Sequence, residues 1–231
     1  MTADLDADTT SVPEVDFVES RGRLRAALGA IIAIAVLVVA VASGFAWGHD
    51  SKHVASVPAA GSVDVGFAQD MMVHHSQAVT MAGYARDYTS DERIKLLAYD
   101  IEDQQTFQIG QMQGWLDNWG EPTADPLTPM VWMGGTGHVG ADGLMPGMAT
   151  PAEVNKLRTL HGTALDIDFL QLMIRHHQGG IPMAQYAAQH ASKDYVRLLA
   201  QSMVTAQSGE IVTMEQMLRE LGSAPLPPPE I

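Results

Sequence analysis

From Ser62 to Gly222 apolar side chains return every three or four residues, interrupted by short polar turns. Phe67, Met71, His74, Ala78, Met81 and Ala85 fall on one face at helical spacing. Ser62 is a suitable N-cap ahead of them. Leu97, Ile101, Ile109, Met112 and Leu116 form a second stripe, which predicts a helix from about Asp91 to Trp119. Gly120 and Pro122 stop it. A comparable pair follows, with Leu199, Met203, Ile211, Met214 and Leu218 on its second helix and an end at Gly222. The connections DYTSDE and HASKD are short, so the helices they join are antiparallel. Thr150 and Pro151 open a further short helix, PAEVNKLRTL. Pro182 lies inside the third long helix, after Gly179 and Gly180, and predicts a bend there.

The two pairs match at a constant offset of 102 residues. DVGFAQDMMVHHSQAVTMAGYA from Asp64 aligns with DIDFLQLMIRHHQGGIPMAQYA from Asp166. His74-His75 meets His176-His177, Met81 meets Met183, and Gln105, Met112 and Gly120 meet Gln207, Met214 and Gly222. One hairpin used twice predicts an all-α four-helix bundle, because a single hairpin cannot cover its own apolar stripe. The expected bundle spans residues 62–222: repeat one is 62–120, a Gly/Pro/Met-rich crossover 121–150, and repeat two 151–222. A Pro-rich tail, 223–231, follows.

Ahead of the bundle the pattern is different. Ala26 to Trp47 is a charge-free run of 22 residues. At ~1.5 Å per residue it is long enough to cross a bilayer core as a helix. An acidic tail, 1–25, precedes it and ends in Arg21, Arg23 and Arg25; a linker, 48–61, follows. Basic flanks stay in the cytoplasm. The expected location is therefore a single-pass anchor in the cell membrane with the N-terminus inside and the bundle outside. A cleaved signal is the competing reading, since Ala40-Val41-Ala42 resembles a cleavage site.

Composition narrows the function classes. The formal charge is −14, with 13 Lys and Arg against 27 Asp and Glu. A nucleic-acid partner would need a basic footprint, and none is visible. With no cysteine, a lipid-modified cysteine and any disulfide are excluded, so an extracytoplasmic domain must be held by its core.

The chemistry-bearing pattern is Met-x-x-His-His-x5-Met, at Met71/His74/His75/Met81 and Met173/His176/His177/Met183. At roughly 100° per residue, Met71, His74 and Met81 lie within about 80° of arc, with His75 at the edge of the face. Imidazole with thioether suits a soft ion: Cu(I), and by the same logic Ag(I). The bland alternative is that methionine fills core gaps and a histidine is merely hydrogen-bonded. The crossover adds Met130, Met133, His138, Met145 and Met148, either as further soft ligands or as a small apolar cluster under the bundle. Di-iron chemistry would need inward carboxylates and a Glu-x-x-His pattern, which is absent. No nucleophile motif or phosphate loop is present, so no catalytic residue is assigned.

At these residues the chain resembles the domain-of-unknown-function 305 family. Its pattern, Phe-x3-Met-(Ile/Met/Val)-x-His-His-x2-Ala-x2-Met-Ala, is complete from Phe67 to Ala82. It recurs from Phe169 to Ala184 with Gly180 in place of the alanine. The family's second-helix pattern appears as Gln207-Ser-Gly-Glu210-Ile-Val-Thr-Met214, while the first copy carries Gln108 at the Glu position. Met145-Pro-Gly-Met148 also fits. The resemblance implies a ferritin-like four-helix bundle, secreted or periplasmic, with copper and silver handling in some members. It brings Glu210, Met214 and the matching Met112 into the candidate set.

The sequence thus predicts an envelope protein that binds Cu(I) or Ag(I) for tolerance or delivery. Its partners would be metal ions and the membrane, and no protein partner is legible. The alternative is a non-catalytic structural or interaction module.

Overall fold

The computed structural model describes residues 56–124, 129–135 and 139–229. The expected anchor, the acidic tail and His138 lie outside the described residues. Among the described residues no helix is long and apolar enough to cross a membrane.

Five α-helices and no strand make up the described chain: α1 Val63–Tyr88, α2 Glu92–Trp119, α3 Pro151–Leu157, α4 Gly162–His190 and α5 Asp194–Glu220. A 3-10 turn, Val131–Met133, lies in the crossover. Local chemistry sets most ends. Ser62 accepts the Val65 N–H at 3.4 Å and Asp91 accepts that of Arg93 at 2.9 Å, satisfying donors that a first turn leaves open. Gly120 takes the left-handed conformation that ends α2, φ 73°, and Glu121 N–H then reaches the Leu116 carbonyl at 3.0 Å. Thr150 and Glu153 form a capping box before α3. Helix α4 continues through Pro182 to His190.

Helix α1 packs against α2 and α4, and α4 against α5, so α1 and α4 form the central pair of the bundle. Helix α1 also meets the 3-10 turn and α3. Its buried residues accordingly run around much of its circumference, whereas α2 and α5 bury one stripe each.

The hairpins fasten one another. Asp64, at the start of α1, accepts the N–H groups of Ser192 and Lys193 at 2.9 and 2.8 Å, in the turn before α5. Asp166, its counterpart on α4, accepts the Thr89 hydroxyl at 2.5 Å, in the turn before α2. Both carboxylates are buried, and each satisfies polar groups of the opposite hairpin.

The crossover is bound to the same central helices. Asp70 accepts Met130 N–H at 2.6 Å and Trp132 Nε1–H at 2.7 Å. Gly66 makes room for Trp132, because a Cβ there would run into the indole. Gln77 exchanges two hydrogen bonds with the Ala149 backbone, at 2.8 and 2.6 Å. Gly179 receives the Pro146 carbonyl against its Cα, where any side chain would collide.

Two apolar clusters form the core. One holds Met71, Met112 and Met183; the other holds Met173, Met214 and Met81. Each cluster takes the leading Met of one motif and the trailing Met of the other. The crossover methionines Met130, Met133 and Met145 are buried in the first cluster, and Met148 packs on it partly buried. They belong to the main core, not to a separate cluster under a loop.

Candidate metal centre

All four dyad histidines are fully buried. This corrects the expectation that His75 lies at the edge of its helix face. Helical arc counts one contact face, but α1 and α4 are each covered on more than one side.

The rings form one polar layer. His74 and His176 lie face to face, ring centroids 3.8 Å apart and planes 39° apart. His176 and His177 are 6.2 Å apart. Every Nε2 faces an oxygen. His74 Nε2–H donates to the Pro146 carbonyl at 3.1 Å, and His176 Nε2–H to the His74 carbonyl at 3.0 Å. His75 Nε2 is 2.7 Å from Gln108 Oε1, and His177 Nε2 is 2.5 Å from Glu210 Oε2. Backbone carbonyls and carboxylates only accept, so the proton sits on Nε2 of His74, His176 and His177. The lone pair is then on Nδ1.

No Nδ1 of the four has a hydrogen-bond partner, and all four are buried. Gln105 Oε1 and Gln207 Oε1, at matched positions on α2 and α5, are buried and unpartnered too. An unsatisfied buried acceptor costs about 1–3 kcal/mol. Five of these atoms are acceptors: Nδ1 of His74, His176 and His177, and Oε1 of the two glutamines. Two of the atoms are neighbours: a Cβ built on Gly180 would stand 3.0 Å from Gln207 Oε1 and 3.5 Å from His74 Nδ1. The small residue keeps that space open.

Three of the imidazoles are also held neutral. Burial lowers His74 to about 4, partly offset by its bond to Pro146 and reinforced by His177. Burial and the neighbouring His74 lower His75 to about 3. His176 is pushed well below 6.5 by burial and by the other three rings. A neutral imidazole is the form that binds metal. Among the described residues no three His, Asp or Glu side chains converge closely enough to hold a metal ion by themselves. Imidazole and thioether donors fit a soft monovalent ion.

The other predicted residues divide. Glu210 joins the layer through His177. Met71, Met81, Met112, Met173, Met183 and Met214 are fully buried in the two apolar clusters. Gln105, Gln207 and the Pro146 carbonyl were not among the predicted site groups. The repeat alignment matched the two glutamines, and their retention on an apolar stripe was the available signal.

Sequence and structure comparisons place the chain. The family model described as a domain of unknown function (DUF305) matches residues 64–218, and the chain belongs to this family. No curated protein matches it in sequence. Among solved structures it is similar to a DUF305 protein of Streptomyces coelicolor, described as a candidate secreted protein. The identity is 44% and the TM-score 0.68, over 73% of this chain and 99% of that one. A DUF305 fragment from Deinococcus radiodurans is 36% identical, with a TM-score of 0.57 over 69% and 95% of the two chains. CopM in its Cu(II)-bound form is 26% identical, with a TM-score of 0.55 over 68% and 96%. CopM has also been solved in Cu(I)-bound and Ag-bound forms.

Proposed function

We propose that the chain captures Cu(I), and Ag(I) by the same chemistry, at the outer face of a cell membrane, for tolerance or delivery. The observation that carries the reading is the layer of buried, unpartnered Nδ1 atoms on His74, His75, His176 and His177. On His74, His176 and His177, whose proton sits on Nε2, these atoms are lone-pair donors. Met71, Met112 and Met183 on one side, and Met81, Met173 and Met214 on the other, are the thioethers available to complete coordination. Met130, Met133, Met145 and Met148 extend the first set. The metal-bound structures of CopM support the choice of ions.

The reading includes a ferritin-like bundle of two repeated hairpins, supported by the 102-residue offset, and a single-pass anchor at 26–47 with the N-terminus inside, supported by the arginines before Ala26. The description of the Streptomyces relative as a candidate secreted protein agrees with a bundle outside the cytoplasm.

The test is a competition titration of the full chain in detergent with Cu(I) against a chelator. Wild type should bind tightly and melt at higher temperature when loaded, because a ligand of the folded state alone stabilises it. Replacing His74 and His75, or His176 and His177, by Ala should lower the number of ions bound. The complete burial of the methionines and histidines also suits a purely structural module. That reading requires Cu(I) to leave the melting temperature unchanged.

A further inference from the structure

The two halves of the polar layer differ at one position. His75 and Gln108 are matched, at an offset of 102, by His177 and Glu210. Both pairs make the same side-chain contact, Nε2 to Oε, at 2.7 and 2.5 Å. The chemistry across that contact is not the same. A carboxylate only accepts, so Glu210 fixes the His177 proton on Nε2 and leaves Nδ1 as the donor atom. An amide can turn and offer its NH₂, so Gln108 accommodates either tautomer of His75. Glu210 also brings a formal negative charge beside a buried imidazole, while Gln108 brings none.

Charge decides which ion each half can hold. Neutral ligands leave the full charge of a bound ion in the core. For a monovalent soft ion that cost is moderate and thioether bonding offsets it. For a divalent ion it is far larger, unless an anion lies close by. A carboxylate hydrogen-bonded to the outer nitrogen of a ligating histidine meets this need: it orients the ring, raises its basicity and adds negative charge. Glu210 is paired with His177.

We propose that Glu210 is a specificity-determining residue that makes the halves unequal: the His177 half accepts Cu(II) as well as monovalent ions, and the Gln108 half is confined to Cu(I) and Ag(I). The inference rests on the metal-binding reading above. Glu210 acts through His177, as a positioning and charge-supplying group.

The experiment titrates the full chain in detergent with Cu(II), counted by electron paramagnetic resonance, and separately with Ag(I). Wild type should show one tight Cu(II) per chain. Glu210→Gln is isosteric and keeps an acceptor for His177. It should weaken Cu(II) binding by about 10–100-fold, the usual effect of removing such a partner, and leave the number of Ag(I) ions unchanged. Gln108→Glu should add a second tight Cu(II), a gain that loss of folding cannot mimic. Cu(II) affinity within about twofold of wild type in Glu210→Gln, or two equivalent Cu(II) ions on wild type, would overturn the inference while metal binding stands. A wild type that binds neither ion contradicts metal binding itself, and this inference with it.

Discussion

His74 and His176, 102 residues apart in sequence, stack in the core with ring centroids 3.8 Å apart, and neither Nδ1 has a partner. Two charged imidazoles could not share that space without a large penalty, so the stack is a statement about protonation. It joins the middle of α1 to the middle of α4 and places the polar layer between the two apolar clusters.

The metal-free protein should lose stability in mild acid. His74 and His75 have folded values of about 4 and about 3, below their ordinary 6.5. Their contribution is complete above pH 6.5. As pH falls from about 6.5 toward about 4, the unfolded chain takes up protons that the folded one cannot. Each group then weakens the fold by up to about 1.4 kcal/mol per pH unit. Urea midpoints measured from pH 7.5 down to 4.5 should fall. A flat profile would contradict the buried neutral state.

Gly180→Ala should separate the site from the fold. Helix propensity favours alanine by up to about 1 kcal/mol. The new methyl, however, would press on Gln207 Oε1 and His74 Cε1, at 3.0 and 3.1 Å. The metal-free protein should keep its stability within about 1 kcal/mol, and its Ag(I) affinity should fall. An unchanged affinity by calorimetry would show that the space beside Gly180 is not used.

At the adjacent position the expectation reverses. Gly179→Ala would drive its Cβ into the Pro146 carbonyl, a rigid backbone group. Overpacking of this kind costs about 1–3 kcal/mol, and the shift removes the acceptor of His74. Denaturant unfolding should show the loss with or without metal. Wild-type stability would mean that the crossover does not press on α4.

The motif methionines can be tested as two pairs, one in each apolar cluster. Leucine conserves their volume, and such exchanges usually cost less than about 1.5 kcal/mol each. Met71/Met183→Leu and Met81/Met173→Leu should therefore fold, and each should lose Cu(I) affinity. If neither competition curve moves, those thioethers are packing only.

Much of the fold was legible because its signals are local. The caps at Ser62, Asp91 and Thr150 and the stop at Gly120 are short-range chemistry. Their helix ends agree with the periodicity. The site was legible only in outline. The spacing pointed to the dyads, yet the burial of His75 depends on α1 being covered on several sides, which no arc on one helix reports. The exchange of Met81 and Met183 between clusters is a product of helix packing. Pro146 contributes a backbone oxygen, for which no side chain advertises. Gln105 and Gln207 read as polar interruptions of an apolar stripe until their matched positions are seen to face the same layer.

The most direct test of the central claim reads the ring nitrogens themselves. Long-range ¹H–¹⁵N spectra of the histidines should be recorded on the metal-free chain and again after Ag(I) is added. We predict Nε2–H tautomers for His74, His176 and His177 before addition. Afterwards, Nδ1 resonances within the dyads should shift while Nε2 keeps its proton. Silver-loaded protein whose eight dyad nitrogens all keep their metal-free shifts would contradict the assignment of this layer as the metal site.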